Sequence, residues 1–152
     1  MQVITKIYFL ITFLILFIPS CTFGPRPDNT KPMYGEVEMD YRYVAINNDF
    51  IKRSIDDYNS IDNAARNYLG MAWAYYAKKD FSTAMKRFNQ VWLLNPELPN
   101  VYFGFAALLE TQNNKSESER FYKIAFEKCN DNKQAEDCLI LLPIYPEMMR
   151  LV

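Results

Sequence analysis

Laid against itself at an offset of 34 residues, the sequence pairs Tyr68 with Tyr102, Gly70 with Gly104 and Ala72 with Ala106. Further along, the same offset pairs Phe88 with Tyr122, Val91 with Ala125 and Trp92 with Phe126. Gly70 and Gly104 are the only glycines after Gly35, and they lie one period apart. A unit of this length is one supersecondary element that cannot bury its apolar face alone, so copies must stack. The period predicts an all-α chain built from amphipathic helix pairs.

The first copy resembles the tetratricopeptide (TPR) pattern. With Pro96 as the terminal proline, Tyr68 takes the large aromatic position, Met71 the leucine position and Ala72 the small one. Tyr75, Phe81, Ala84 and Phe88 follow at the matching positions, with Val91 in place of the second small residue of the B helix. Small residues at 72 and 84 suit a close helix crossing, with Tyr68, Tyr75 and Phe88 filling the space beside it. In the second copy Tyr102, Phe105, Ala106, Tyr122 and Ala125 fit, while Ser118 replaces the small residue and Asn130 the proline. The resemblance implies a helix-turn-helix TPR solenoid of about two repeats, near 65–98 and 99–132, inside a helical domain spanning 49–152. Asp80 before Phe81 reads as an N-cap, and Ser116-Glu117-Ser118-Glu119 as a capping box.

Both ends of the stack carry capping signals. Ile51, Ile55 and Tyr58 recur at i, i+4 and i+7, with Phe50 beside them, which predicts a short helix over Asp49–Tyr58 covering the first repeat. A second capping helix is expected over Lys133–Leu142, stopped by Pro143 and Pro146. The apolar stretch Leu139–Val152 either packs back on the second repeat or forms a self-association surface for a homodimer.

Upstream, residues 1–20 have the three-part form of an export signal. Lys6 supplies the charge, and Ile7–Ile18 is an apolar run of twelve residues. Such a run makes about 18 Å of helix, short of the roughly 30 Å of a bilayer core. Ile18-Pro19-Ser20-Cys21 then resembles the lipobox of bacterial lipoproteins, which implies acylation of Cys21 and a membrane anchor. Thr22 is not the aspartate linked to inner-membrane retention, so the resemblance implies an outer-membrane location facing the periplasm. From residue 21 to 48, Pro25, Pro27, Pro32, Gly24 and Gly35 lack any helical or strand period and read as a lipidated, extended tether. Met33, Tyr34, Val37, Met39, Tyr41, Tyr43 and Val44 are too apolar for a pure linker. They either lie down on the domain or form a binding segment. Lys31-Pro32-Met33-Tyr34-Gly35 and Ala84-Met85-Lys86-Arg87-Phe88-Asn89 also look like segments of small TPR lipoproteins.

With Cys21 assigned to lipid, Cys129 and Cys138 remain; in an oxidising compartment they are a candidate disulfide, with two free buried thiols as the alternative. The chain has no histidine and a formal net charge of −1. Imidazole catalysis and histidine-containing metal sites are thereby excluded, and nothing draws the chain toward nucleic acid. No phosphate loop or nucleophile elbow occurs, so the expectation is a non-enzyme with no cofactor and no metal.

A TPR uses the concave lining formed by its first helices. Position by position, the resemblance assigns that lining to Arg66, Leu69, Trp73 and Tyr76 from copy one and Asn100, Phe103 and Glu110 from copy two. Trp, Tyr and Arg are the types that dominate binding hot spots. Trp73 is either part of this groove or core beneath the Asp49–Tyr58 helix. The implied function is a scaffold or adaptor binding an envelope protein or peptide. The alternatives are a pilotin-like assembly factor for a secretion or pilus system, or a toxin-blocking immunity lipoprotein.

Overall fold

The computed structural model describes residues 24–131. Five helices follow one another: α1 (Tyr41–Tyr58), α2 (Ile61–Ala77), α3 (Phe81–Leu94), α4 (Pro99–Thr111) and α5 (Lys115–Asp131). Among the described residues there is no strand. The fold is an all-α, helix-turn-helix repeat solenoid. α2 pairs with α3 and α4 with α5; α3 also packs on α4, α2 touches α4, and α1 packs on α2 and α3.

The 34-residue period is visible in the backbone itself. In the α2–α3 turn Lys79 is left-handed (φ 60°), and in the α4–α5 turn Asn113 is left-handed (φ 59°). The amide of Asp80 donates to Tyr75 O at 3.0 Å, and that of Asn114 to Leu109 O at 3.0 Å. The amides of Lys79 and Asn113 donate to Tyr76 O and Glu110 O, both at 2.9 Å. Each of these partners is displaced by one period, so the two hairpins close with the same hydrogen bonds. Asp80 caps α3, its carboxylate accepting from the Thr83 amide at 3.1 Å. Hydrogen bonding from Thr83, its side chain first and its amide second, holds the Asp80 carboxyl below its usual range. α5 starts at Lys115, so the exposed Ser116 lies inside the helix and does not head the expected capping box with Glu119; Glu117 pairs with Arg120.

The helix crossings follow the small-residue pattern. Ala72, Ala84 and Ala106 are fully buried. Ser118, at the fourth such position, is 2% exposed. Its hydroxyl donates to Ala106 O at 3.1 Å, so a hydroxyl fits there by bonding the backbone it crosses. Phe88 fills the centre, edge-on to Trp73 at 5.1 Å and to Phe105 at 6.2 Å. Phe105 in turn meets Phe121 at 5.5 Å, which carries the core into the second pair.

α1 is longer than the period alone suggests. It begins at Tyr41, where Asp40 accepts from the Arg42 amide at 2.9 Å and the Tyr43 amide at 3.4 Å. The tether expected up to residue 48 therefore ends at residue 40. The second half of α1 reaches the stack, where Phe50 and Tyr58 meet Tyr68 at 5.4 and 6.0 Å. Tyr41 and Ile46 in the first half are exposed. The signal segment, Cys21, Cys138 and the expected C-terminal cap at Lys133–Leu142 lie outside the described residues. Cys129, on α5, is disulfide-bonded; the pairing with Cys138 rests on a residue outside that range.

Candidate interaction site

The expected lining resolves into two unequal parts. On α2, Arg66, Leu69, Trp73 and Tyr76 share one face through their spacing of three and four residues. Arg66 is exposed; Leu69, Trp73 and Tyr76 are half-buried against the core. Trp73 and Tyr76 meet edge-to-face at 5.5 Å, and Tyr76 continues to Phe81 at 5.5 Å. This is a ridge of rings with partly solvated edges. α1 spends its aromatic contacts on Tyr68, so Trp73 is held by Phe88 from below.

On α4 the expectation fails at Phe103. Every residue from Val101 to Leu109 is buried, Phe103 completely. Its ring lies 5.6 Å from Phe126 and 6.3 Å from Tyr122 of α5, so it is core and lines no surface. Ala107, one period after Trp73, is also at 0% exposure. A helix apolar on all sides is buried on all sides, and α4 is that helix. Asn100 is half-buried and Glu110 exposed near its two ends. Asn100 Oδ1 is buried and meets no donor among the described residues. What remains of the expected lining at the surface is the α2 ridge with Arg66, and, near the two ends of α4, Asn100 and Glu110.

The second built feature decides between the two readings of the apolar tether residues at Met33 and Tyr34, which lie down on the domain. Residues 28–36 form a strap across α3. Asn89, fully buried in the middle of α3, grips it through backbone groups and one side chain. Its Nδ2 donates to Lys31 O at 2.9 Å and to Asn29 Oδ1 at 3.1 Å, and its Oδ1 accepts from the Tyr34 amide at 3.4 Å. Met33 packs on the core, and the Tyr34 ring lies 6.4 Å from Trp92. At the far end Glu36 pairs with Arg120 of α5, with one bond at 3.3 Å, and Arg120 stacks over Phe121 at 4.2 Å. Burial pushes the Tyr34 phenol up to about 12.

The strap's backbone is uncommon. Met33, Tyr34, Gly35 and Glu36 all have positive φ, at 51°, 57°, 79° and 57°. Left-handed conformation costs non-glycine residues about 1–2 kcal/mol each, so the turn persists only because docking offsets that cost. Between the strap and the α4–α5 turn lies a cleft of about 310 Å³, lined by Lys31, Glu36, Gln112, Glu117 and Phe121 among others. One signal was available in sequence: Asn89 is an amide beside Phe88, on the face where α3 otherwise buries apolar residues. Segments 31–35 and 84–89 are the two halves of this contact. Compared with known proteins, the chain matches no family model, no curated protein and no solved structure.

Proposed function

We propose that this chain is a TPR-type lipoprotein of the bacterial envelope, anchored through acylated Cys21 and acting without catalysis as a protein-interaction scaffold or adaptor. The observation that carries the reading is the aromatic ridge Leu69-Trp73-Tyr76 beside Arg66 on the first helix of a repeated hairpin. Rings with solvated edges offer a large contact area at little entropic cost, and a guanidinium beside them suits a carboxylate or an acidic peptide. The lipobox-like tetrad Ile18–Cys21 supports the anchor and the envelope location, with the outer membrane favoured by Thr22. A photo-crosslinking residue at Tyr76, compared with one at exposed Lys123, tests the ridge in intact cells. Adducts formed from position 76 and lost on Trp73→Ala, with helicity unchanged, are the expected result. Equal adducts from both positions overturn it. The captured protein also separates the roles: several partners fit an adaptor, one secretion or pilus subunit an assembly factor, and one toxin an immunity protein.

A further inference from the structure

The strap changes the geometry of anchoring, granted the acylated Cys21 of the proposed function. Read from sequence, the free chain between the lipid and the first helix runs from residue 21 to 48. A flexible coil of that length spans roughly 29 Å, at 5–6 Å times the square root of the residue number. Such a tether lets the domain turn in any direction. In the structure the chain is already fixed to the domain at Asp28: its amide donates to Tyr34 O at 2.9 Å, and Asn89 grips the residues that follow. Six residues separate Cys21 from Asp28, so seven Cα-to-Cα steps join them. They span roughly 15 Å as a coil and at most about 25 Å fully stretched. A folded chain of about 100 residues has a radius of gyration near 13 Å and is wider than this leash.

We infer that the strap is a leash-shortening clamp that holds the α3 side of the domain toward the lipid surface and the α2 ridge away from it. The fixation point is on α3 through Asn89 and on α5 through Arg120. The ridge residues Arg66, Trp73 and Tyr76 sit on α2, in the other layer of the hairpin. A leash shorter than the domain's width keeps its attachment face near the bilayer, because the opposite face can reach the headgroups only if the strap lets go. The clamp thereby gives the ridge a fixed outward aspect, as an adaptor presenting its surface to a partner in the periplasmic space requires.

Energy transfer to the membrane plane tests this. Full-length acylated protein is placed in phosphatidylcholine vesicles doped with a rhodamine-headgroup lipid. A dye is attached under non-reducing conditions at Lys86→Cys or at Ala74→Cys, against unlabelled-site protein as the blank. Lys86 is exposed and lies three residues from Asn89 on the same face of α3, and Ala74 is exposed on α2. Stronger transfer from position 86 than from 74 is expected. The difference should shrink toward zero in Asn89→Ala/Arg120→Ala. A strap-side variant, Met33→Asp with Tyr34→Ala, leaves every residue of α1–α5 unchanged and should shrink it equally. Equal transfer from the two positions in the parent protein overturns the clamp, as does a difference that survives both strap variants in folded protein. Palmitate incorporation, measured alongside, reports separately on the anchor: protein that takes up no palmitate and stays off vesicles overturns the lipoprotein reading as well.

Discussion

Two seams of the stack sit at equivalent places and are built very differently. Where α3 meets α4, Phe88 lies directly over Gly104. A Cβ on that glycine would fall inside the van der Waals radius of Phe88 Cε1, Cζ and Cδ1. One period earlier, where α1 meets α2, Ser54 stands at the position of Phe88 and Gly70 at that of Gly104. A Cβ on Gly70 would meet nothing within 4 Å, and Gly70 is exposed. The same glycine in the same register is a packing requirement in one seam and open surface in the other. Sequence periodicity locates a seam; the residue facing the glycine decides how tightly it closes.

Removing the ring should have the largest effect. Phe88→Ala empties the centre of the core, and truncations of this kind cost about 3–5 kcal/mol. Urea titration of the variant should show that loss with little change in slope. A loss below about 1 kcal/mol would mean the seam closes on other contacts.

Gly104→Ala comes next. The added methyl must displace a fully buried ring, and overpacking typically costs about 1–3 kcal/mol. Because the penalty runs through Phe88, the double variant with Phe88→Ala should be less destabilised than the two single losses added together. Strict additivity in a double-mutant cycle would show that the ring and the glycine are not partners.

Much of this architecture was legible in the sequence. The 34-residue offset found both hairpins, and Asp80 marked the start of α3 by its place just before Phe81. Two things were not. The strap is held by Asn89 across 55–60 residues of chain and by a left-handed backbone at Met33 and Tyr34, neither of which follows from local propensity. Phe103 was assigned to a surface by carrying a family position over. Yet its own neighbourhood, Val101-Tyr102-Phe103-Gly104-Phe105-Ala106-Ala107-Leu108-Leu109, is apolar on every side of a helix and signals complete burial. Position within a repeat was a weaker guide there than composition.

The α1–α2 seam should respond first to acid, because its helix leans on a cap more than on a core. The Arg42 side chain bonded to Asp40, together with the Arg42 and Tyr43 amides, holds the Asp40 carboxyl below its usual value near 3.8. A carboxyl depressed in the folded state contributes stability above its unfolded value and loses it as pH falls through the folded one. Amide exchange in Tyr41–Asn48 should therefore rise below about pH 4 before exchange in α4 does. Asp40→Asn should flatten that pH dependence, and simultaneous loss of both regions would mean the two seams open as one unit.

The smallest expected change is also the one with the opposite sign. Gly70→Ala places a methyl on an exposed position of α2 with nothing within 4 Å to strike. Replacing a glycine inside a helix by alanine removes backbone freedom from the unfolded chain and is worth about 0.5–1 kcal/mol in favour of folding. The gain should appear as a raised urea midpoint, and it should persist unchanged in the Phe88→Ala background, since the two sites share no contact. The sign is what matters. If Gly70→Ala destabilises as Gly104→Ala does, something closes over α2 at that point, and the seam beside α1 is packed in the same way as the seam beside α3.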